Sequence, residues 1–486
     1  MGSLTQRWYV RNMLLLCVVL LSVWTPRIGH ATPHSDQNAA MHLLAQADVG
    51  RTPAPFYTMV GSVDVERRTV SLRQTLVWTN STGMNQRVLP FRLYANLSDF
   101  AGQTSVTTAH IDGISSAFTY NHARTIVTLH APVPIRPDAV VTITLQFQTT
   151  IPADMGKTKY GAFNDDGATL SFASAYPLLV QHRDGQWDIA DPDTKGDLVN
   201  SPVALYDVTL TIPITHQLVS TGTTLTQTRT GDTRTVRVVS GLQRDYTFVV
   251  TTLPVQSLMY AGTRINVYAA EKLAVGSAQA LRVAQHALGV FRAQFGQYPY
   301  NELDIVAVDA ASFHGVEYPG LILMQEATIA KPSALDRIIV HEVAHQWFYN
   351  VVGNDVQADA WVDEAIATYA QVIYLRATSG EEAAQRELAV FQAQYDALIE
   401  RELDAPIHKH MREYTLYTFN VLAYAKGALF YEALRTTVGA ERFSQIIRTY
   451  VERHRYEVAD GLSLRMVAEA QCACSLTTLY QTWIHP

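Results

Sequence analysis

The stretch Val340-His341-Glu342-Val343-Ala344-His345-Gln346-Trp347 sets the reading of the whole second half of the chain. It contains His-Glu-x-x-His in a run with helical spacing. Positions i and i+4 lie one turn apart on the same helix face, so both imidazoles can reach one ion. Glu342 sits about 100° round from His341, at 3.6 residues per turn. There it can take a proton from an ion-bound water without itself ligating. Nineteen positions after His345 comes Glu364, within Trp361-Val362-Asp363-Glu364. Two imidazoles and one carboxylate leave a fourth tetrahedral position for water, the arrangement of a catalytic zinc site. In a chain with 16 His, chance supplies only about 0.03 such pentapeptides.

The set His341-Glu342-x-x-His345-x18-Glu364 resembles the gluzincin metallopeptidases, and specifically the aminopeptidase-N family of zinc metallopeptidases. His314-Gly315-Val316-Glu317-Tyr318-Pro319-Gly320 is similar to that family's exopeptidase motif, and Tyr424-Ala425-Lys426-Gly427-Ala428 to its Tyr-x-Lys-Gly-Ala. Phe295-Gly296-Gln297-Tyr298-Pro299-Tyr300 also looks family-like, as an entry into the domain. The resemblance implies one Zn2+ per chain, held by His341, His345 and Glu364, with Glu342 as general base and Tyr424 as donor to the oxyanion. It implies that Glu317 binds the free α-amino group of a peptide, while the backbone at Gly315 and Val316 pairs with the peptide as an added strand. The expected activity is removal of N-terminal residues from peptides through a zinc-activated water. The alternatives are an endopeptidase or broader metallohydrolase of the same fold with an open cleft, and, more remotely, a binding protein with a vestigial site. The sequence departs from the family's pattern at His314 (for Gly), Val316 (for Met), Asp363 (for Asn) and Gln371 (often Glu). It ends about 60 residues past Tyr424, without the C-terminal helical domain of many relatives. That implies either an open cleft or enclosure by another chain.

Working outward, helical spacing covers 275–295, 334–350, 357–377, 380–402, 415–437 and 440–453, with short buried strands at 304–308 and 322–324. Towards the N-terminus, from 56 to about 255, apolar and polar residues alternate at period 2, as in Val141/Ile143/Leu145/Phe147 and Val208/Leu210/Ile212. Turn clusters such as Asn80-Ser81-Thr82-Gly83 separate the runs. The expected fold is α+β in two domains. An antiparallel β-sandwich over 56–260, saddle-like by the resemblance, precedes a thermolysin-like, mainly helical zinc-peptidase domain over 261–486.

Residues 1–31 read as an export signal. Arg7 and Arg11 precede an apolar run from Met13 to Trp24, and Gly29-His30-Ala31 offers a small-residue cleavage site. The run is shorter than the roughly 20 residues of a membrane span, and an uncleaved N-terminal anchor is the alternative. Residues 32–55 read as a leader. The expected product is an exported protein, secreted, periplasmic or at the cell surface, without a stable membrane span. Cleavage removes three Arg and no acid, taking the net charge from −7 to −10. A mildly acidic chain without basic blocks excludes a nucleic-acid partner. Oligomeric state is not legible. Of three Cys, Cys472 and Cys474 remain after cleavage. An oxidising compartment favours pairing them, the one-residue spacing argues for strain in such a ring, and a structural or inert role is expected.

Overall fold

The computed structural model describes residues 54–153, 161–310 and 313–484. The expected export signal and all but the last two residues of the leader lie outside them. The N-terminal half is built on an eight-stranded sheet. Its order is Thr223–Thr230, Thr233–Val239, Leu205–Pro213, Phe56–Asp64, Thr69–Thr79, Val140–Thr150, Gln103–Ile111, Ile114–Ser115. Buried and solvent-facing residues alternate along Thr69–Thr79 and Val140–Thr150, as expected for a sheet with one face on the core. A four-stranded sheet (Leu178–Leu179, Gln86–Arg92, Ile126–Ile135, Phe118–Tyr120), a three-stranded one (Gln217–Ser220, Thr247–Thr251, Thr169–Ala173) and a two-stranded one (His182–Arg183, Gln186–Trp187) complete this half among the described residues. Among the described residues of this half the strand pairing is antiparallel with one exception. Phe56–Asp64 runs parallel to Leu205–Pro213, starting at Phe56↔Leu205. A parallel pair needs a long crossover, and here most of the half is that crossover, which alternation along single strands cannot reveal.

The second half opens on a five-stranded sheet ordered Val255–Tyr260, Thr263–Tyr268, Glu302–Val308, Leu321–Gln325, Gly315–Tyr318. Val255–Tyr260 thus belongs to this sheet, ahead of the boundary expected at 260. The three middle strands are parallel. Six of the seven residues of Glu302–Val308 are buried, because this strand is covered on both faces. Helix α1 (Ala274–Phe295) makes the crossover between the first two parallel strands. The edge strand Gly315–Tyr318 pairs antiparallel with Leu321–Gln325.

Helices follow: α2 (Pro332–Ala344), α3 (Trp361–Ser379), α4 (Glu381–Ile399), α5 (Gly427–Val438), α6 (Ala440–Arg453), α7 (Gly461–Cys472) and α8 (Thr477–Trp483). α3 is buried all round from Trp361 to Tyr374, which marks a central helix rather than an amphipathic surface one. α2 ends at Ala344, not near 350 as its spacing suggests. Trp347 N–H still donates to the Ala344 carbonyl, but Tyr349 takes φ 94 and breaks the winding. The helix expected at 415–437 is interrupted, with Leu416–Phe419 α-helical and Asn420–Lys426 widened to a π-helix ahead of α5. Cys472 and Cys474 are joined as a disulfide, their Cα atoms 5.1 Å apart. That spacing is ordinary for a disulfide, and left-handed Ala473 at the end of α7 provides it.

The halves are pinned together by Arg244. Its fully buried guanidinium donates to the carbonyls of Ser201 (2.8 Å), Tyr349 (2.9 Å) and Glu457 (3.2 Å). One continuous apolar core runs through both halves.

Candidate metal and substrate site

Pro332 starts α2 at a position where its missing N–H costs nothing. Leu335, Ile339, Val340, Val343 and Ala344 pack inward and fix the helix's rotation. His341 sits in its last turn, and His345, just past the end, keeps helical backbone angles and donates back to the His341 carbonyl. The two Nε2 atoms are therefore 3.1 Å apart. Glu364, in the first turn of α3, places Oε2 3.2 Å from His341 Nε2 and 3.4 Å from His345 Nε2. A tetrahedral ion with bonds of about 2.0–2.1 Å holds its donor atoms about 3.3–3.4 Å apart. The triangle is close to that size, and its nitrogen and carboxylate donors suit zinc.

The outer nitrogens are also held. His345 Nδ1 donates to the Phe348 carbonyl at 3.1 Å, which leaves Nε2 with its lone pair free for an ion. The side-chain amide of Gln371, from α3, lies 3.4 Å from His341 Nδ1, and its Oε1 is buried with no partner. A half-turn of the amide sets Oε1 against the ring N–H that a metal-bound His341 would carry on Nδ1.

Glu342 is buried against the edge strand at Gly315. A Cβ there would stand 2.5 Å from Glu342 Oε1, so only glycine leaves room for this carboxylate. Glu342 Oε2 has no hydrogen-bond partner, and burial pushes the carboxyl up to about 7. Glu317, two residues along the strand, places Oε1 3.6 Å from His345 Nδ1. Gln346 fixes this strand to the metal-site segment. Its Oε1 accepts from Gly320 N–H (2.8 Å) and its Nε2 donates to the Tyr318 carbonyl (3.2 Å). Tyr424 reaches the site from the π-helix. Its hydroxyl donates to Glu364 Oε1 and its ring stacks on His341 at 5.8 Å. π-Helical turns often mark functional sites, and this one re-aims Tyr424. Gly427 then lets the start of α5 lie on Ala365, where a Cβ would be 2.4 Å from the alanine's own.

Of the departures, Asp363 is fully buried, with Oδ1 accepting from Asn354 Nδ2 (2.9 Å) and Oδ2 unpartnered. His314 turns its Nδ1 to Thr328 Oγ1 at 3.2 Å. His408 pairs with Asp359 and His410 caps a turn, so both are structural. The residue missed in the sequence is Asp197. It lies on a loop of the N-terminal half, and carboxylate oxygens of Asp197, Glu317 and Asp363 fall within 4.8 Å of one another. Gln357, just before α3, clamps that loop. Its Nε2 donates to the Asp197 carbonyl (2.8 Å) and its Oε1 accepts from Asp193 N–H (2.7 Å). Asp191-Pro192-Asp193-Thr194-Lys195-Gly196-Asp197 reads as a turn, and nothing local marks its last residue. Burial and then Glu364 push Asp197 up to about 7; burial and then Asp197 push Glu317 well up. Carboxyls crowded this way favour a cation between them. The cleft they line measures about 460 Å3, with Lys195–Asp197 on one side and Leu416, Phe419 and Tyr424 on the other.

Residues 279–483 match the model of the peptidase family M1 domain. The second half of this chain is thus similar to the M1 peptidase domain. The chain aligns with aminopeptidase M1-B of Oryza sativa subsp. japonica, 26% identical over 235 residues, 46% of this chain and 27% of that protein. It also aligns with endoplasmic reticulum aminopeptidase 2 of Homo sapiens, 28% identical over 213 residues, 41% of this chain and 22% of that one. The matched region thus spans about a quarter of these curated relatives. In fold, the chain superimposes on the M1 zinc metallopeptidase from Deinococcus radiodurans with a TM-score of 0.68, at 19% identity, over 89% of this chain and 94% of that one. A two-domain M1 zinc metallopeptidase mutant bound to L-arginine gives the same values. The likeness therefore extends from the M1 domain through the β-rich half.

Proposed function

We propose that the protein is a zinc-dependent aminopeptidase. The observation that carries this reading is the position of Glu317. Its carboxylate sits 3.6 Å from His345 and shares its surroundings with Asp197 and Asp363, so one end of the cleft is built for a cation. An N-terminal ammonium held there places the first peptide bond, rather than an internal one, at the His341–His345–Glu364 triangle. Those three residues would hold zinc, which supplies Lewis acidity toward a carbonyl and an acidified water. Glu342 takes the proton of the attacking water and passes it to the leaving amine nitrogen. Its raised pKa and unpaired Oε2 suit both halves of that transfer. The Tyr424 hydroxyl donates to the oxyanion as the carbonyl becomes tetrahedral. Glu317 moves no proton. It accepts hydrogen bonds from the ammonium and so sets register. The backbone at Gly315 and Val316, on the free side of an edge strand, is available to pair with the peptide.

Export is part of the same reading. The signal-like residues 1–31 and the disulfide Cys472–Cys474 both fit an oxidising compartment. Among the described residues no helix is long and apolar enough to cross a membrane. The test is a set of fluorogenic aminoacyl amides with free and blocked N-termini, with and without chelator. Chelator-sensitive turnover confined to free amines is expected, and Glu317→Ala should raise KM for them far more than for blocked substrates. Equal cleavage of blocked substrates would replace this reading with an endopeptidase.

A further inference from the structure

Tyr349 follows His345 by four positions, past the end of α2, and its backbone takes φ 94. That is a left-handed conformation, an outlier for a bulky side chain and costly wherever it is kept. What it achieves is read from the peptide group joining Phe348 to Tyr349, whose tilt the Tyr349 φ sets. The carbonyl of that group accepts from His345 Nδ1 at 3.1 Å, and its N–H donates to the Val352 carbonyl at 2.8 Å. Glu317 Oε1 stands 3.6 Å from the same ring nitrogen, too far for a hydrogen bond, so the Phe348 carbonyl is the nearer acceptor. A neutral imidazole has a single ring proton. The carbonyl that holds this proton on Nδ1 keeps Nε2 free for an ion.

The far side of Tyr349 is gripped by the N-terminal half. Its carbonyl accepts from Arg244 Nε at 2.9 Å, and its hydroxyl donates to Asp245 Oδ2 at 2.8 Å. Arg244, Asp245 and Tyr349 are all buried. The guanidinium is also wedged against Gly353, where a Cβ would stand 2.2 Å from Arg244 Cζ. The Phe348 ring packs edge-on against Phe295 at 4.9 Å and anchors the other end of the peptide group. A return of Tyr349 to negative φ turns that group, and with it the Phe348 carbonyl, out of line with His345. We propose that Tyr349 is a positioning residue for the metal ligand His345: the N-terminal half, through Arg244 and Asp245, holds the Tyr349 backbone left-handed and so aims the Phe348 carbonyl at His345 Nδ1. The inference rests on the zinc assignment above and goes beyond it, because it makes the geometry of one ligand depend on two residues of the β-rich half.

The test compares Tyr349→Ala with Tyr349→Gly. Both remove the side chain and its tie to Asp245, but only glycine adopts positive φ without steric cost. Zinc affinity is read by competition against a chromogenic chelator, and ligand geometry by the visible absorption of the cobalt-substituted protein, with a thermal melt to check folding. Tyr349→Ala should bind zinc about 10–100-fold more weakly, the range for losing a partner of a ligating histidine, with a shifted cobalt spectrum. Tyr349→Gly should stay within about threefold of wild type and keep its spectrum. If Tyr349→Ala does not fold, Tyr349→Phe replaces it, losing only the hydroxyl tie, and should bind zinc more weakly than Tyr349→Gly. Equal zinc affinity and equal cobalt spectra within the pair compared overturn the positioning role and leave the metal reading standing. A wild-type protein that takes up no zinc, or whose zinc uptake survives His345→Ala, removes both.

Discussion

Gly315→Ala tests Glu342, proposed as the general base, separately from the metal. Gly315 lies in an extended strand outside the left-handed region, so alanine is conformationally permitted there. The obstacle is steric. The three atoms nearest the new Cβ all belong to Glu342: Oε1 at 2.5 Å, Cδ and Cγ each at 2.7 Å. Ordinary contact begins at 3.4 Å, so the whole carboxylate, not only its tip, must move by about 0.9 Å. A displacement of about 1 Å in a reacting group can cost about 10²-fold in rate. The variant should lose about 10²-fold in kcat while His341, His345 and Glu364 keep their ion. The assay pairs kcat on an alanyl amide with metal content by atomic absorption and a thermal melt. In a Glu342→Gln background, itself expected to bind metal and be nearly inactive, Gly315→Ala should cost little more, because both changes strike one group. A Gly315→Ala enzyme with kcat within threefold of wild type, or one that loses metal in step with activity, would refute this account.

Three further outcomes follow from the same contacts. Gln371→Leu leaves the His341 Nδ1–H unpaired and should weaken metal binding about 10–100-fold, read by competition against a chromogenic chelator; unchanged affinity would mean Gln371 does not orient the ring. Tyr424→Phe removes the hydroxyl donor beside Glu364 and should lower kcat about 10²–10³-fold with KM little changed, whereas an unaltered kcat takes Tyr424 out of the mechanism. Asp304 is buried beside Asn266 Nδ2 at 2.7 Å, and burial raises its pKa from 3.8 to about 7. Between those values the folded chain keeps a proton that the unfolded chain has released, so this group's stabilisation falls as pH rises from about 4 to about 7. Asp304→Asn should flatten that part of the stability profile in urea melts at pH 5 and pH 8, and an identical slope would show that Asp304 does not titrate there.

The metal triangle was legible because it is local. One helical turn sets His341 against His345, and one further carboxylate on the next long helix completes the set. Glu317 and Tyr424 were legible only through their order around that motif, since a Glu before Tyr-Pro-Gly or a Tyr on a helix has no meaning alone. Gln371 was visible as a departure, but its contact with the His341 ring was not. What stayed hidden depends on docking. Asp197 enters from 167 positions before Glu364 on a loop that Gln357 captures, and Gln346 fixes the strand carrying Glu317 through two bonds to its turn. The parallel pairing of Phe56–Asp64 with Leu205–Pro213 was invisible for the same reason: alternation tells which face of a strand is buried, not which strand lies beside it. The early end of α2 comes from the Tyr349 backbone, whose φ is set by Arg244 from the other half.

The capture of the Asp197 loop by Gln357 has a consequence for how competence is acquired. His341, His345 and Glu364 lie within 24 residues of one another, at the end of α2 and the start of α3, whereas Asp197 belongs to the β-rich half. A change that loosens the Gln357 clamp on the Asp197 loop while leaving α2 and α3 intact should therefore show first in selectivity between free and blocked N-termini, and only then in metal content.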